Sequence, residues 1–320
     1  MRKILSTLLV IILFLSIAVK NGQAQVKMGE LEGIITISGA WALYPMVIKW
    51  AEEFQKNCPK VKIDIGAGGA GKGMADCLAE IVDIGMVSRD IYPEEIKKGA
   101  WWVSVTKDAV VPTVNANNPI LNELLVKGVN RETLVGIWIT GDIQNWGQVI
   151  KRVSKYEIHV YTRSDACGAA KTWAKYLGKS QEDLRDVGVY GDPGVAEAVK
   201  NDALGIGFNN INYAYDAKTK KPVKGIRVLP IDLDDNGKMD EDENFYNTRD
   251  EIVHAIANGK YPSPPARDLH FVCHGKPKSP VVQQFIKWVL TEGQKFVHES
   301  GYINLTEEKL QEVLNKLELM

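Results

Sequence analysis

The chain has 320 residues, 45% hydrophobic, 25% charged and 8% aromatic, which fits a folded globular protein of one large or two smaller domains and excludes a disordered or collagen-like chain. Its 39 lysines and arginines against 40 aspartates and glutamates give a formal charge of −1, so there is no basic surplus to drive binding to nucleic acid. Only one stretch is apolar enough to enter a bilayer, which excludes a multi-span membrane protein.

That stretch is N-terminal and reads as a signal peptide over residues 1–24. Arg2 and Lys3 precede an apolar run from Ile4 to Val19, and Gly22 and Ala24 stand at the −3 and −1 positions of a cleavage site. Ser6 and Thr7 interrupt the run, which is shorter than the roughly 20 residues of a membrane span. No cysteine follows it for lipid anchoring. The expected product starts at Gln25, carries 36 basic against 40 acidic side chains, and is periplasmic or otherwise extracytoplasmic. Its four cysteines, Cys58, Cys77, Cys167 and Cys273, permit three disulfide pairings there. Cys58 with Cys77 is the pair closest in sequence, and buried thiols are the alternative.

Strand and helix patterns alternate along the chain. Gly33–Ser38 reads as a buried strand, and Trp41–Asn57 as a helix from the spacing of Leu43, Met46, Val47, Trp50, Ala51 and Phe54. Val61–Ile65 is a second strand, followed by a glycine-rich turn, a helix through Met74 and Leu78, and a strand at Ile84–Val87. Val103–Val114 is a long extended run. Helical segments follow near 130–138 and 168–176, with strands near 158–162, 204–208 and 226–231. The linker Tyr261–Pro265 precedes a strand at Leu269–Cys273 and an amphipathic helix over Val281–His298. This order predicts an α/β protein of two lobes, each a mostly parallel sheet flanked by helices. Residues 28–115 with 266–320 form the first lobe and 116–265 the second, two connecting strands making the hinge.

Three turns share one design, in which a strand ends, small residues free the backbone and a helix begins. They are Ser38-Gly39-Ala40, Gly68-Gly69-Ala70-Gly71 and Ala166-Cys167-Gly168-Ala169. The first N–H groups of a helix, with its dipole, form a ready site for negative charge. Lys72 follows the second turn as a candidate cation, and Arg163 precedes the third with a planar fork suited to an oxyanion.

These segments resemble the phosphate-type substrate-binding proteins of ABC transporters. The matching stretches are ISGAWALYPM (37–46), GAGGAGKGM (66–74), VDIGMVSR (82–89), DAVVPTVN (108–115), YTRSDACGA (161–169) and GVAEAVKNDALGIGF (194–208), with GKPKSP (275–280) and EGQKFVHESGY (292–302) completing the set. The resemblance implies a type II periplasmic-binding-protein fold closing over a ligand in the interlobe cleft, and delivery of an inorganic oxyanion, phosphate or similar, to a membrane permease. It further implies a monomer and no catalysis. The alternative is the same fold used as an extracytoplasmic sensor, or for a solute other than phosphate. Carried onto this sequence, the ligand site comprises Ala40, Trp41, Ala70, Gly71, Lys72, Ser88, Arg163, Asp165, Cys167 and Gly168. Asp165 would orient Arg163, and Trp41 and Cys167 would shape the cleft. Several hydroxyl donors of the family are replaced, at Ala40-Trp41-Ala42, Ala70, Lys72, Cys167 and Ala169, so backbone N–H groups and cations must carry the binding.

A second motif stands apart. Asp232 to Glu243 fits the calcium-loop pattern D-x-[DN]-x-[DN]-G-x5-E. Asp232, Asp234 and Asn236 take positions 1, 3 and 5, Lys238 offers its carbonyl, Asp240 stands at position 9 and Glu243 at the bidentate position 12. The expected ion is a structural Ca2+ within the second lobe. Five histidines without a nucleophile–base pattern or a zinc signature give no support to an enzyme.

Overall fold

The computed structural model describes residues 28–153 and 155–318; the expected signal peptide lies outside the described residues. Its strands are β1 (Glu32–Gly39), β2 (Lys60–Ala67), β3 (Ile84–Val87), β4 (Ala100–Asn115), β5 (His159–Arg163), β6 (Val187–Val189), β7 (Gly205–Asn210), β8 (Ile226–Val228) and β9 (Ala266–His274). They form one sheet in the order β2-β1-β3-β9-β4-β7-β5-β6, with β8 added on β4. β2-β1-β3 and β7-β5-β6 are parallel, the product of strand–helix–strand connections. β9 and β4 run antiparallel to their neighbours and join the two parallel groups.

Two large cores lie on this sheet, with a small third cluster of Val195, Val199 and Ile226. The first packs the helices Tyr44–Asn57 and Pro280–Leu290 over β1, β3 and β9, with Trp50, Phe54, Phe271, Phe285 and Trp288 at its centre. The second is built on Trp138, Trp173 and Phe208, whose ring centroids lie 5.3–6.1 Å apart. The chain changes core inside two strands. On β4 Val105 belongs to the first core and Ala109 to the second; on β9 Ala266 belongs to the second and Leu269 to the first. The side chains of Ala109, Val110, Val111 and Val114 accordingly pack in the second core. The register between the two connecting strands shifts between Ser104 and Thr106.

Three element ends differ from expectation for identifiable reasons. The first helix starts at Tyr44 with Pro45 in its opening turn, so Trp41 lies in the preceding turn. The predicted 281–298 helix ends at Leu290 and continues as the 3-10 turn Glu292–Phe296. There the buried Trp50 Nε1 donates to the Gly293 carbonyl at 2.8 Å. β8 stops at Val228, two residues before Pro230, which has no N–H for the ladder.

All four cysteines are buried thiols, so the Cys58–Cys77 disulfide is not formed. Cys77 Sγ donates instead to the Val272 carbonyl at 3.2 Å, and Cys58 closes the C-terminus of the Tyr44–Asn57 helix. Among the described residues no helix is long and apolar enough to cross a membrane.

Candidate functional site

The in-register pairing of β1 with β2 brings Gly39 beside Ala67, and β3 sets Met86 next to Gly39. The turns that leave these strands consequently share one edge of the first lobe. Ala40 N donates to Met86 O at 2.9 Å, and the amides of Gly68 and Gly69 both donate to Gly39 O, at 2.9 and 3.0 Å. Gly69, at φ +91°, has a backbone conformation that favours glycine and caps the helix Ala70–Leu78.

The second lobe meets this edge with its own turn. Cys167 caps the helix Gly168–Tyr176, its Sγ accepting from Ala170 N at 3.4 Å. Gly71 N donates across the seam to Ala166 O at 3.0 Å. A Cβ on Gly69 would stand 2.8 Å from Asp165 Oδ2, and one on Gly71 2.9 Å from the Ala166 methyl. A Cβ on Gly168 would overlap the hydroxyl and carbonyl oxygens of Ser88. Ala40, Ala70, Gly71, Ser88, Asp165, Cys167 and Gly168 are thus gathered at one seam between the lobes. Trp41 extends it. Its ring lies against Gly191 and edge-on to Tyr190 and Tyr213, its carbonyl accepts from Tyr213 Oη at 3.1 Å, and its buried Nε1 has no hydrogen-bond partner among the described residues.

Two arginines lie beneath the seam. The Arg163 side chain is fully buried; Nε and Nη2 grip Asp165 at 2.7 and 2.6 Å, and Nη1 donates to Asp192 at 2.6 Å. Against the cost of burial, Asp192 and Asp165 hold its guanidinium above the ordinary value. Among the described residues, three of its five N–H donors are used. Arg267 donates from Nε to Ser88 O at 3.0 Å and from Nη2 to Asn210 Oδ1, lies 3.9 Å from Asp108, and has no partner for Nη1 among the described residues. Burial pushes the Asp108 carboxyl up to about 7, with Arg267 opposing the shift. Arg163 and Arg267 face Asp165, Asp192 and Asp108, so the crevice holds no surplus of positive charge. It can select an anion by aimed donors rather than by surplus charge.

Lys72 does not join this group. Its half-exposed ammonium is engaged by Asp76, one helical turn on, and Asp76 also accepts from Ser38 Oγ at 2.7 Å. Arg267 is a second guanidinium that reaches the seam, through the Ser88 carbonyl. The sequence reading missed Arg267, Asp192 and Asn210. The one available signal was a charged residue opening the apolar run of β9.

A cavity of about 800 Å³ opens between the lobes beside the seam and is bordered by Arg267 and Gln181. Gln181 ties it to the third turn, donating to Asp165 O at 2.8 Å and accepting from Cys167 N at 3.4 Å. Seven cationic side chains against three carboxylates line the cavity. Such a wall raises the local concentration of anions and speeds their approach. The acidic loop holding Asp232, Asp234, Asn236, Lys238, Asp240 and Glu243 lies elsewhere, against the turn that follows the helix Leu121–Lys127.

Residues 22–292 match the family model of the PBP superfamily domain. Among curated relatives, a phosphate-binding protein PstS of Methanocaldococcus jannaschii is 25% identical, over 100% of this chain and 96% of its own length. The PstS of Bacillus subtilis is 27% identical over 88% of this chain and 84% of its own. Among solved structures, a putative phosphate ABC transporter substrate-binding protein from Clostridium perfringens, with bound phosphate, superposes with a TM-score of 0.71 at 23% identity, covering 86% of this chain and 100% of that one. An ABC-type phosphate transport receptor from Vibrio cholerae gives a TM-score of 0.61 at 22% identity, covering 85% of this chain and 100% of that one. At these identities the two structures speak for the fold.

Proposed function

Because the chain belongs to the PBP superfamily, we propose that it is an exported solute-binding protein that closes its lobes on an inorganic oxyanion, phosphate or a close analogue, and presents it to an ABC permease. The observation that carries this reading is the seam itself, where Gly71 and Gly168 of opposite lobes abut Ala166 and Ser88 above two buried arginines. Phosphate as the ligand rests on the names of the relatives, since this chain lacks most of the hydroxyl donors in its turns. The donors offered in their place are the helix-start N–H groups other than those of Gly71 and Ala170, the remaining N–H groups of Arg163 and Arg267, and Trp41 Nε1. Hydrogen bonds to a charged group contribute roughly 1.5–3 kcal/mol each, so a few suffice for useful affinity. Residues 1–24 would direct export, and the cationic cavity would guide the anion to the seam.

Calorimetric titration with phosphate, sulfate, molybdate and small organic acids tests the proposal. One tetrahedral oxyanion should bind at one site per chain. Lys72→Met should leave its affinity within about threefold, because the ammonium already serves Asp76, whereas Arg267→Met should weaken it at least about tenfold. Failure of every oxyanion to bind would remove the reading, and the reverse ranking of the two variants would restore Lys72 to the site.

A further inference from the structure

We propose that the loop Asp232–Glu243 binds one calcium ion, which fastens the segment between β8 and the helix Arg249–Ala257 to the second lobe. The carboxylates of Asp232, Asp234 and Glu243 each bring an oxygen within 4.8 Å of the others. Glu243 is the deciding residue. It is only 6% exposed, and its Oε1 accepts from the amides of Leu233 and Asp234 at 2.8 and 3.2 Å. Among the described residues, its buried Oε2 has no hydrogen-bond partner. A charged oxygen withdrawn from water without a partner is costly, and a cation among the three carboxylates removes that cost.

No side chain of the loop supplies such a cation. Lys238 is its one basic residue among seven acids, and its largely exposed ammonium pairs with Asp240. The donor set is all oxygen: three carboxylates, the Asn236 amide, the Lys238 carbonyl, and Asp240 through water. Hard ligands of this number, with a bidentate carboxylate at the last position, suit calcium. Magnesium demands a tighter octahedron, and zinc prefers nitrogen and sulfur. Both ends of the bound segment are already anchored. Asp232 N donates to Val129 O at 3.3 Å, Met239 N to Val126 O at 2.9 Å, and Phe245 and Tyr246, just beyond Glu243, stack in the second core. An ion here would therefore close a loop whose flanks are fixed, far in sequence from the seam turns and sharing no residue with them.

The test is calorimetry and thermal unfolding of the purified, EDTA-stripped protein titrated with calcium chloride. One calcium per chain should bind and raise the melting temperature, with a smaller shift for magnesium chloride at the same concentration. Glu243→Gln and Asp234→Asn should each weaken binding at least about tenfold; Asp234 is exposed, so its variant guards against a folding defect in the first. Absence of calcium uptake at millimolar concentration, equal shifts from the two metals, or undiminished binding in both variants would overturn the proposal. Phosphate titration of the stripped protein keeps this result separate from the anion site.

Discussion

Arg163 and Asp192 form an ion pair at 2.6 Å in which neither side chain is exposed to solvent. Asp192 is itself held by the amide and side-chain nitrogen of Asn210, at 2.9 and 2.7 Å, and Asn210 Oδ1 accepts from Arg267. The two arginines below the seam are therefore linked through one aspartate and one asparagine. Removing either arginine disturbs the other's partners.

Arg163→Ala should lower stability by about 3–5 kcal/mol, since it strands Asp165 and Asp192 in a dry interior. It should also abolish the thermal shift given by phosphate. Arg163→Lys keeps the charge but loses the fork, and should recover part of the stability and little of the ligand response. Urea unfolding and melting curves with and without phosphate measure both. An undiminished phosphate shift in the alanine variant would take Arg163 out of the site.

At Gly168 the second lobe packs against Ser88 of the first with no room for a Cβ. An added methyl meets the backbone as well as the hydroxyl of Ser88, so rotating a side chain cannot relieve it. Gly168→Ala should hold the lobes apart and weaken anion binding at least about tenfold, while the second lobe, which gains a better helix former, keeps its stability within about 1 kcal/mol. X-ray scattering should show a larger radius of gyration than wild type at saturating phosphate. An unchanged radius and affinity would mean that closure does not need this contact.

How much of this was legible in the sequence depends on the range of the interaction. The three turns are local designs of strand end, small residue and helix start, and they were readable along with Arg163 and Asp165, two residues apart. Arg267 was not, because it meets Ser88 and Asn210 across 179 and 57 positions and leaves no local trace beyond the Arg267-Asp268 pair opening an apolar strand. The pairing of Lys72 with Asp76 was legible as well, since Asp76 stands one helical turn away on the same face. Cysteine count and spacing could not choose between disulfide and thiol, because that choice depends on tertiary distance.

The thiols give a chemical test of the fold. Burial pushes Cys77 up to about 11 and Cys167 up to about 12, so neither forms the reactive thiolate at neutral pH. Native protein should therefore resist iodoacetamide, and four thiols should be labelled once it is unfolded without reductant. Mass spectrometry counts the adducts. Two adducts instead of four would indicate that a disulfide had formed.

His270 supplies the pH dependence. Burial pushes its imidazole down to about 4, and its Nδ1 lies 3.1 Å from Ser104 Oγ, with the Asp268–Lys309 ion pair nearby. The unfolded chain protonates this residue near 6.5, so between pH 6.5 and 4 the unfolded state binds a proton that the native state refuses. Stability then falls as the pH falls, by up to about 3 kcal/mol at pH 4. Asp108 acts in the opposite direction. It keeps its proton up to about 7 when folded and loses it near 3.8 when unfolded, so its contribution declines as pH rises through the same window. The two effects offset each other in the wild-type curve, and only a comparison separates them. Glutamine at 270 retains a hydrogen bond to Ser104 but does not titrate. The stability of wild type minus that of His270→Gln should shrink by about 3 kcal/mol between pH 6.5 and 4, the Asp108 contribution cancelling in the difference. Urea unfolding at four or five pH values measures it, and a constant difference would show that His270 protonates as readily in the native fold as in the open chain.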